Sequence, residues 1–236
     1  MIENDYVMRL IDQLTRLLVQ VFGLKDARQY DEALRLLRGE TRRLIGLDGA
    51  MLEFLGPEML RRTLGSSEKA IVAGHILEAM GTVYREAGEE TRSTAARIKA
   101  LDLYATVLRA SPDALDGDVR QRALTLADLV AVRDLTWDER HSLLGIYETL
   151  RLYSRAEDLL FALLGEDLDT QQLVAEGLAF YDRLLKKSDD DLAAGSLPRD
   201  EVIESREQVA GFLHAGEAGE DEEDAVGGDE DGKDRA

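Results

Sequence analysis

Residues 137–170, WDERHSLLGIYETLRLYSRAEDLLFALLGEDLDT, decide the predicted fold because they form one complete two-helix unit of 34 residues. Thr136 and Glu139 frame the start of the first helix as a capping box, in which the hydroxyl and the carboxylate satisfy backbone donors of the first turn. Apolar residues then recur at helical spacing on one face of each helix. They are Leu143, Leu144 and Tyr147 on the first helix, and Tyr153, Ala156, Leu160, Leu163 and Leu164 on the second.

This spacing resembles the tetratricopeptide repeat. In that repeat a bulky residue begins helix A, a small or apolar residue and a Tyr follow, and an Ala lets helix B approach closely. Trp137, Leu144, Tyr147 and Ala156 occupy the first, eighth, eleventh and twentieth places here. The resemblance implies an all-α fold of antiparallel helical hairpins stacked as a short, tetratricopeptide-like solenoid.

A longer version of the same unit precedes it, between about residues 67 and 112. Gly81 and Ala100 are 19 positions apart where the repeat has 12, so seven extra residues lie somewhere in 89–98. They either lengthen both helices or form a projecting loop. The two units together give a predicted repeat core of Leu77, Gly81, Tyr84, Ala100, Tyr104, Leu143, Leu144, Tyr147, Ala156 and Leu160.

Composition limits the function more than it defines it. The chain has no Cys, which excludes disulfides and thiolate sites, and its formal net charge is -19. Such a charge repels nucleic acids and anionic lipids, so we expect neither as a direct partner. No uncharged stretch is long enough for a membrane span, and the first twenty residues lack the order of a secretory signal. We therefore expect a soluble, cytoplasmic protein.

Residue composition and apolar spacing divide the chain into three predicted parts. Residues 1–65 form a helical hairpin with short helices, and residues 66–214 form the repeats with capping helices. From residue 216 onward, ten acidic residues stand against two basic ones and Val226 is the only bulky apolar residue. Such a segment buries too little surface to offset its ordering entropy, so 215–236 is predicted to be a disordered acidic tail.

The N terminus carries a second resemblance. Its opening residues are similar to the start of a bacterial protein family without an assigned biochemical function, which implies a bacterial cytoplasmic helical protein and supplies no active site. The residues that carry this resemblance are Met1-Ile2-x-x-Asp5-Tyr6 and Arg9-x-Ile11-x-Gln13.

The tetratricopeptide alignment also predicts a partner groove on the inner faces of two helices A. A partly acidic groove suits a partner segment that is basic or apolar. Within it, the pair of His75 and Glu78 has i, i+3 spacing, but a metal would need ligands from another helix, so no metal or cofactor is expected. The predicted groove residues are His75, Glu78, Thr82, Arg85, Asp138, His141 and Glu148.

No motif for nucleotide binding, metalloprotease or serine hydrolase chemistry occurs. The hypothesis from sequence is therefore a non-enzymatic scaffold or adaptor that binds a protein segment in a helical-repeat groove. One alternative is a structural homo-oligomer assembled through the amphipathic helix at residues 6–22. A second is an enzyme with a carboxylate site built between helices.

Overall fold

The computed structural model describes residues 2–111, 117–131, 133–166 and 170–223. Within these ranges all regular secondary structure is helical and no strand occurs. The prediction of an all-α fold is therefore confirmed. The chain divides into two compact units, Met1–Leu150 and Arg151–Ala236, called unit 1 and unit 2 below. This division falls inside the predicted 66–214 region and separates the two helices of the 137–170 stretch.

The hairpin of α5 (Ser67–Glu86) and α6 (Glu90–Ala110) organises unit 1. Three residues connect these two long helices, which pack along each other. The seven extra residues in 89–98 therefore lengthen the helices and do not form a projecting loop. The remaining helices of unit 1 are α1 (Ile2–Asp26), α2 (Tyr30–Ile45), α3 (Gly49–Phe54), α4 (Pro57–Leu64), α7 (Asp118–Ala131) and α8 (Trp137–Leu150).

Helices pack on both sides of this hairpin. On one side α2 packs on α5, and α1 packs on both α2 and α5. On the other side α7 and α8 pack on α6. The short helices α3 and α4 pack on α5. Apolar residues at three- and four-residue spacing explain this packing, because they give each helix a buried stripe. In α1 that stripe is Leu10, Leu14, Leu17 and Val21.

Unit 2 contains α9 (Tyr153–Leu164), α10 (Thr170–Leu184), α11 (Asp189–Ala194) and α12 (Arg199–Glu223). α10 packs on α9 and α12, and α11 packs on α12. The predicted tail at 215–236 overlaps the end of α12. Its side chains and all residues after Glu223 lie outside the described part of the chain.

The predicted repeat core is largely buried. Leu144 is the exception, because its side chain is partly exposed. The buried members are Leu77, Gly81, Tyr84, Ala100, Tyr104, Leu143 and Tyr147 in unit 1, and Ala156 and Leu160 in unit 2.

The capping box at the start of α8 is present as predicted. The backbone N–H of Thr136 donates to Glu139 Oε2 over 2.9 Å, and the backbone N–H of Glu139 donates to Thr136 Oγ1 over 3.4 Å. These bonds satisfy donors that have no partner inside the helix. Local chemistry therefore fixes where α8 begins. None of the described helices combines the length and the apolarity needed to cross a membrane.

Candidate functional site

A pocket of about 540 Å³ lies in unit 1 between α2, α3, α5 and α6. α3 reaches this position because Asp48 caps its start, with Oδ1 accepting the Ala50 N–H over 2.9 Å. It also packs tightly on α2, since a Cβ at Gly49 would lie 2.3 Å from Arg38 Cα. The pocket is lined by Arg38, Ala50, Glu53, Phe54, Leu77, Tyr84, Arg92, Ala95, Ala96 and Lys99.

Glu53 is the polar centre of this pocket. Arg38 Nε donates to its Oε1 over 2.6 Å, and Arg92 Nη2 lies 3.2 Å from its Oε2. The Tyr84 hydroxyl donates to Oε2, and Lys99 Nζ donates to the Glu53 backbone carbonyl. Three basic side chains from α2 and α6 therefore contact Glu53 of α3, two at its carboxylate and one at its backbone carbonyl.

Tyr84 ties the same network together. Its oxygen accepts bonds from Arg38 Nη2 over 2.7 Å and from Arg92 Nη2 over 2.5 Å. The Arg92 guanidinium also lies 4.1 Å from the centre of the Tyr84 ring, close enough for a cation–π contact. Arg92 Nη1 bonds in addition to Glu89 over 2.7 Å. The pocket lining itself keeps a formal excess of two positive charges.

The titration of these groups follows from their neighbours. Burial raises the pKa of Tyr84 to about 12, and the bond to Glu53 adds to this effect. Burial also acts to raise the pKa of Glu53, but the bonds from Arg38, Tyr84 and Arg92 and the charge of Arg38 together outweigh it, and the pKa is lowered. Burial lowers the pKa of Lys99, with Glu53 opposing the change. The pKa values of the Tyr84 phenol and the Glu53 carboxyl are thus both shifted further from neutral pH. An acid–base catalyst works best with a group whose pKa lies near neutral pH.

The predicted groove residues of α5 lie on another part of the helix surface. His75 packs edge-on against the Tyr104 ring, with ring centres 5.6 Å apart, and burial lowers its pKa. Glu78 accepts from the Tyr104 hydroxyl over 3.1 Å and pairs with Arg122 over 3.4 Å. The structure therefore joins His75 and Glu78 in one polar cluster with α6 and α7. Among the described residues no group of three potential ligands is arranged to hold a metal.

The other groove residues have local contacts. Thr82 donates its hydroxyl to the Glu78 carbonyl over 3.0 Å, and Arg85 pairs with Glu86 over 3.1 Å. On α8, the His141 ring stacks on Trp137 with centres 4.9 Å apart. Asp138 and Glu148 lie on that same helix. The groove itself stays a prediction.

The chain belongs to a family of unknown function, DUF6483. The family model matches residues 1–214. No curated protein and no solved structure matches the chain. The membership agrees with the resemblance of the N terminus to a family without an assigned function, and the match extends well beyond the first helix.

Most of the pocket was not predicted from the sequence. Tyr84 was predicted as a core residue, and it is buried. Arg38, Glu53, Arg92 and Lys99 have the spacing of ordinary charged residues on helix surfaces, and their convergence depends on tertiary packing. The apolar residues on either side of Glu53 in the sequence, Leu52 and Phe54, are a local signal that this segment packs against a neighbour.

Proposed function

We propose that this protein is a non-enzymatic binding protein built on a tetratricopeptide-like helical scaffold and working in the cytoplasm. Its ligand is a segment of another protein, held in the pocket around Glu53. The observation that carries this proposal is the pocket itself: about 540 Å³, with three basic side chains, one carboxylate and an apolar lining. Such a mixture of apolar surface and a few convergent polar groups is typical of binding sites.

The rim of the pocket supports a protein ligand. Phe54 is 83% exposed, and Met51 near it on α3 is 42% exposed. Large exposed apolar side chains next to a cleft are common features of interaction sites. A partner side chain that covers Phe54 would extend the apolar lining outward.

The charge of the pocket selects among partner segments. The sequence predicts a partner segment that is basic or apolar. An apolar segment also suits this pocket, whereas a basic segment suits only the predicted groove on α5 and α8. Arg38, Arg92 and Lys99 favour an acidic group, because complementary charge selects partners and suppresses wrong ones. We infer a segment that alternates acidic and apolar residues.

Binding is favoured over catalysis by the state of the network. Glu53 already accepts bonds from Arg38, Arg92 and Tyr84, and the pKa values of Glu53 and Tyr84 are moved away from neutrality. A general acid or base works best with a pKa near the operating pH. These groups instead hold α2, α3, α5 and α6 in place and orient the basic side chains.

Fluorescence anisotropy with labelled hexapeptides tests the proposal. We expect a peptide of alternating Glu and Leu to bind more tightly than one of alternating Lys and Leu. Lys99→Met should weaken the Glu/Leu peptide by roughly five- to tenfold, the effect of losing one charged contact. The matched control is Lys186→Met, which removes an exposed lysine of unit 2. Equal binding of both peptides, or equal effects of both variants, would contradict the proposal.

A second candidate, the structural homo-oligomer, is favoured by α1. This helix buries one stripe inside unit 1 and exposes a second set of apolar side chains on another face, with Val19 68% exposed. The second set is Ile11, Val19 and Phe22. Light scattering of a variant with Ser at these three positions tests it, because the buried stripe stays intact. Loss of an oligomer would favour this candidate, and an unchanged mass would reject it.

A further inference from the structure

Arg97 on α6 is a buried arginine that forms no ion pair with any of the described residues. Its side chain is only 2% exposed, and its Nη1 atom has no hydrogen-bond partner among the described residues. The absence of a side chain at Gly81 of α5 makes room for it, since a Cβ there would lie 3.0 Å from Arg97 Cγ. The Ser93 hydroxyl, one turn earlier on α6, donates to the Gly81 carbonyl over 2.7 Å and fixes this crossing.

An unpaired guanidinium in such a place is costly. A buried charge is tolerated when it is paired and hydrogen-bonded, and otherwise it destabilises the fold. Many buried groups avoid the cost by releasing or taking up a proton, but arginine stays protonated in proteins. A bound anion would therefore supply the negative charge and the hydrogen-bond acceptor that Nη1 of Arg97 lacks among the described residues.

The charges of two further arginines, Arg85 and Arg133, act on Arg97. Arg85 stands one turn beyond Gly81 on the same face of α5, and Glu90 stands two turns before Arg97 on the same face of α6. Arg133, between α7 and α8, pairs with Glu90 over 3.0 Å. The Nε atom of Arg133 is also buried without a hydrogen-bond partner among the described residues. The guanidinium groups of Arg85, Arg97 and Arg133 thus come from three different elements, α5, α6 and the connection between α7 and α8.

The nearby carboxylates form their ion pairs with other arginines. Glu90 pairs with Arg133, Glu86 pairs with Arg85, and Glu78 pairs with Arg122. Burial first, and then the charges of Arg85 and Arg133, lower the pKa of Arg97, and the charges of Glu90 and Glu78 do not outweigh them. The repulsion between these side chains is what an anion between them would remove.

We propose that Arg97, Arg85 and Arg133 form a binding site for a phosphate group. The planar guanidinium binds oxyanions through two parallel N–H bonds, and this geometry suits phosphate and carboxylate alike. A tetrahedral phosphate offers oxygens in several directions to three guanidinium groups, whereas a planar carboxylate offers two. The side chains of Arg85 and Arg133 are 37% and 29% exposed and that of Arg97 is 2% exposed, so we place the first two at the solvent side of this site and Arg97 at its base.

This site is separate from the pocket around Glu53. Helical spacing places Arg97 on a different face of α6 from Arg92 and Lys99, which line that pocket. Failure of peptide binding in the pocket therefore leaves the phosphate site standing, and the reverse also holds.

Isothermal titration of the full chain with inorganic phosphate and with O-phosphoserine tests the site, in chloride buffer of matched ionic strength. Arg97→Met should bind phosphate at least about tenfold more weakly, because the charged fork is lost and an apolar isostere is tolerated in its place. Arg85→Gln and Arg133→Gln, which change partly exposed residues, should each weaken binding roughly three- to fivefold. Arg35→Gln is the control, since that side chain is 70% exposed on α2 and we expect no change.

Thermal melting gives a second readout, because a ligand that binds only the folded state raises Tm. We expect phosphate to raise the Tm of the wild-type chain and of Arg35→Gln, but not that of Arg97→Met.

Binding of O-phosphoserine alone would assign the site to a phosphate ester, and binding of both would assign it to free phosphate as well. Phosphate binding that is equal in wild type and all three site variants would overturn the proposal. So would equal stabilisation by acetate, or no binding of either phosphate compound to the wild type. If Arg97→Met does not fold, the two Gln variants decide.

Discussion

Glu53 in unit 1 and Glu157 in unit 2 are two shielded glutamates that each accept a bond from a tyrosine, and their pKa values move in opposite directions. Glu53 accepts from Tyr84 and is held by two arginines. Glu157, 8% exposed, accepts from the Tyr181 hydroxyl over 2.9 Å and from Ser205. Burial raises the pKa of Glu157, and the two hydroxyl groups do not reverse the change.

The difference between them is the presence of cations. Desolvation acts on both carboxyl groups and favours the neutral acid. In unit 1 the bonds from Arg38, Tyr84 and Arg92 and the charge of Arg38 outweigh desolvation, so the pKa of Glu53 falls. In unit 2 the charges of Glu201 and Asp158 raise the pKa of Glu157 further. A carboxylate ringed by arginines helps to build a charged pocket. A carboxylate held by hydroxyl groups serves as a packing element.

The largest expected effect comes from Glu53→Gln. This change leaves Arg38 and Arg92 without their charged partner and should destabilise unit 1 by about 2 kcal/mol at pH 7, less than for a fully buried pair because both arginines are partly exposed. Trp137 is the single tryptophan and lies in unit 1, so its fluorescence during urea unfolding reports this unit.

The pH dependence supplies the control for that measurement. Because the pKa of Glu53 is lowered, its contribution to stability is present above the ordinary pKa of glutamate and is lost as pH falls through the lowered value. The difference between wild type and Glu53→Gln should therefore shrink in acid. A difference that stays constant down to pH 3 would contradict the charged network.

A smaller effect is expected from removing the tyrosine hydroxyl groups. Tyr181→Phe leaves the buried Glu157 with one fewer donor and should cost about 1–2 kcal/mol. Tyr84→Phe should cost less, about 0.5–1 kcal/mol, because Arg38 and Arg92 still satisfy Glu53. Hydrogen exchange read by mass spectrometry on peptides of α9 and α10 reports unit 2, and Trp137 fluorescence reports unit 1. Equal losses in both variants would mean that the cations do not compensate.

How much of this fold could be predicted depends on how far apart in the sequence the interacting residues lie. The start of α8 is set by Thr136 and Glu139, three residues apart, and a local rule finds it. Ala100 and Tyr104 are fully buried because small and aromatic residues recur at the spacing of a helix face. Leu144 has the same kind of spacing and is partly exposed, since a pattern says which face is apolar but not where the neighbouring helix ends.

The charged sites could not be predicted in the same way. Arg38, Glu53 and Arg92 are far apart in sequence, and each looks like a solvated residue until α2, α3 and α6 are packed together. Arg85 was assigned to a predicted groove from its repeat position, but nothing local marks Arg97 as its buried neighbour. A charge in the sequence has a sign and a helix face, whereas its burial is a property of the tertiary structure.

The smallest expected effect is that of Glu157→Gln, and its sign is opposite to that of Glu53→Gln. Glutamine keeps the shape and an acceptor for Tyr181 but removes the cost of burying a charge, so unit 2 should be stabilised by up to about 1 kcal/mol at pH 8. Because the pKa of Glu157 is raised in the folded state, the wild-type unit loses stability as pH rises from the ordinary glutamate range through the raised value. The variant should lack this decline. Hydrogen exchange of α9 and α10 at several pH values measures this stability, with unit 1 as the internal reference. A variant that is less stable than wild type at pH 8 would show that Glu157 has a cation partner after all.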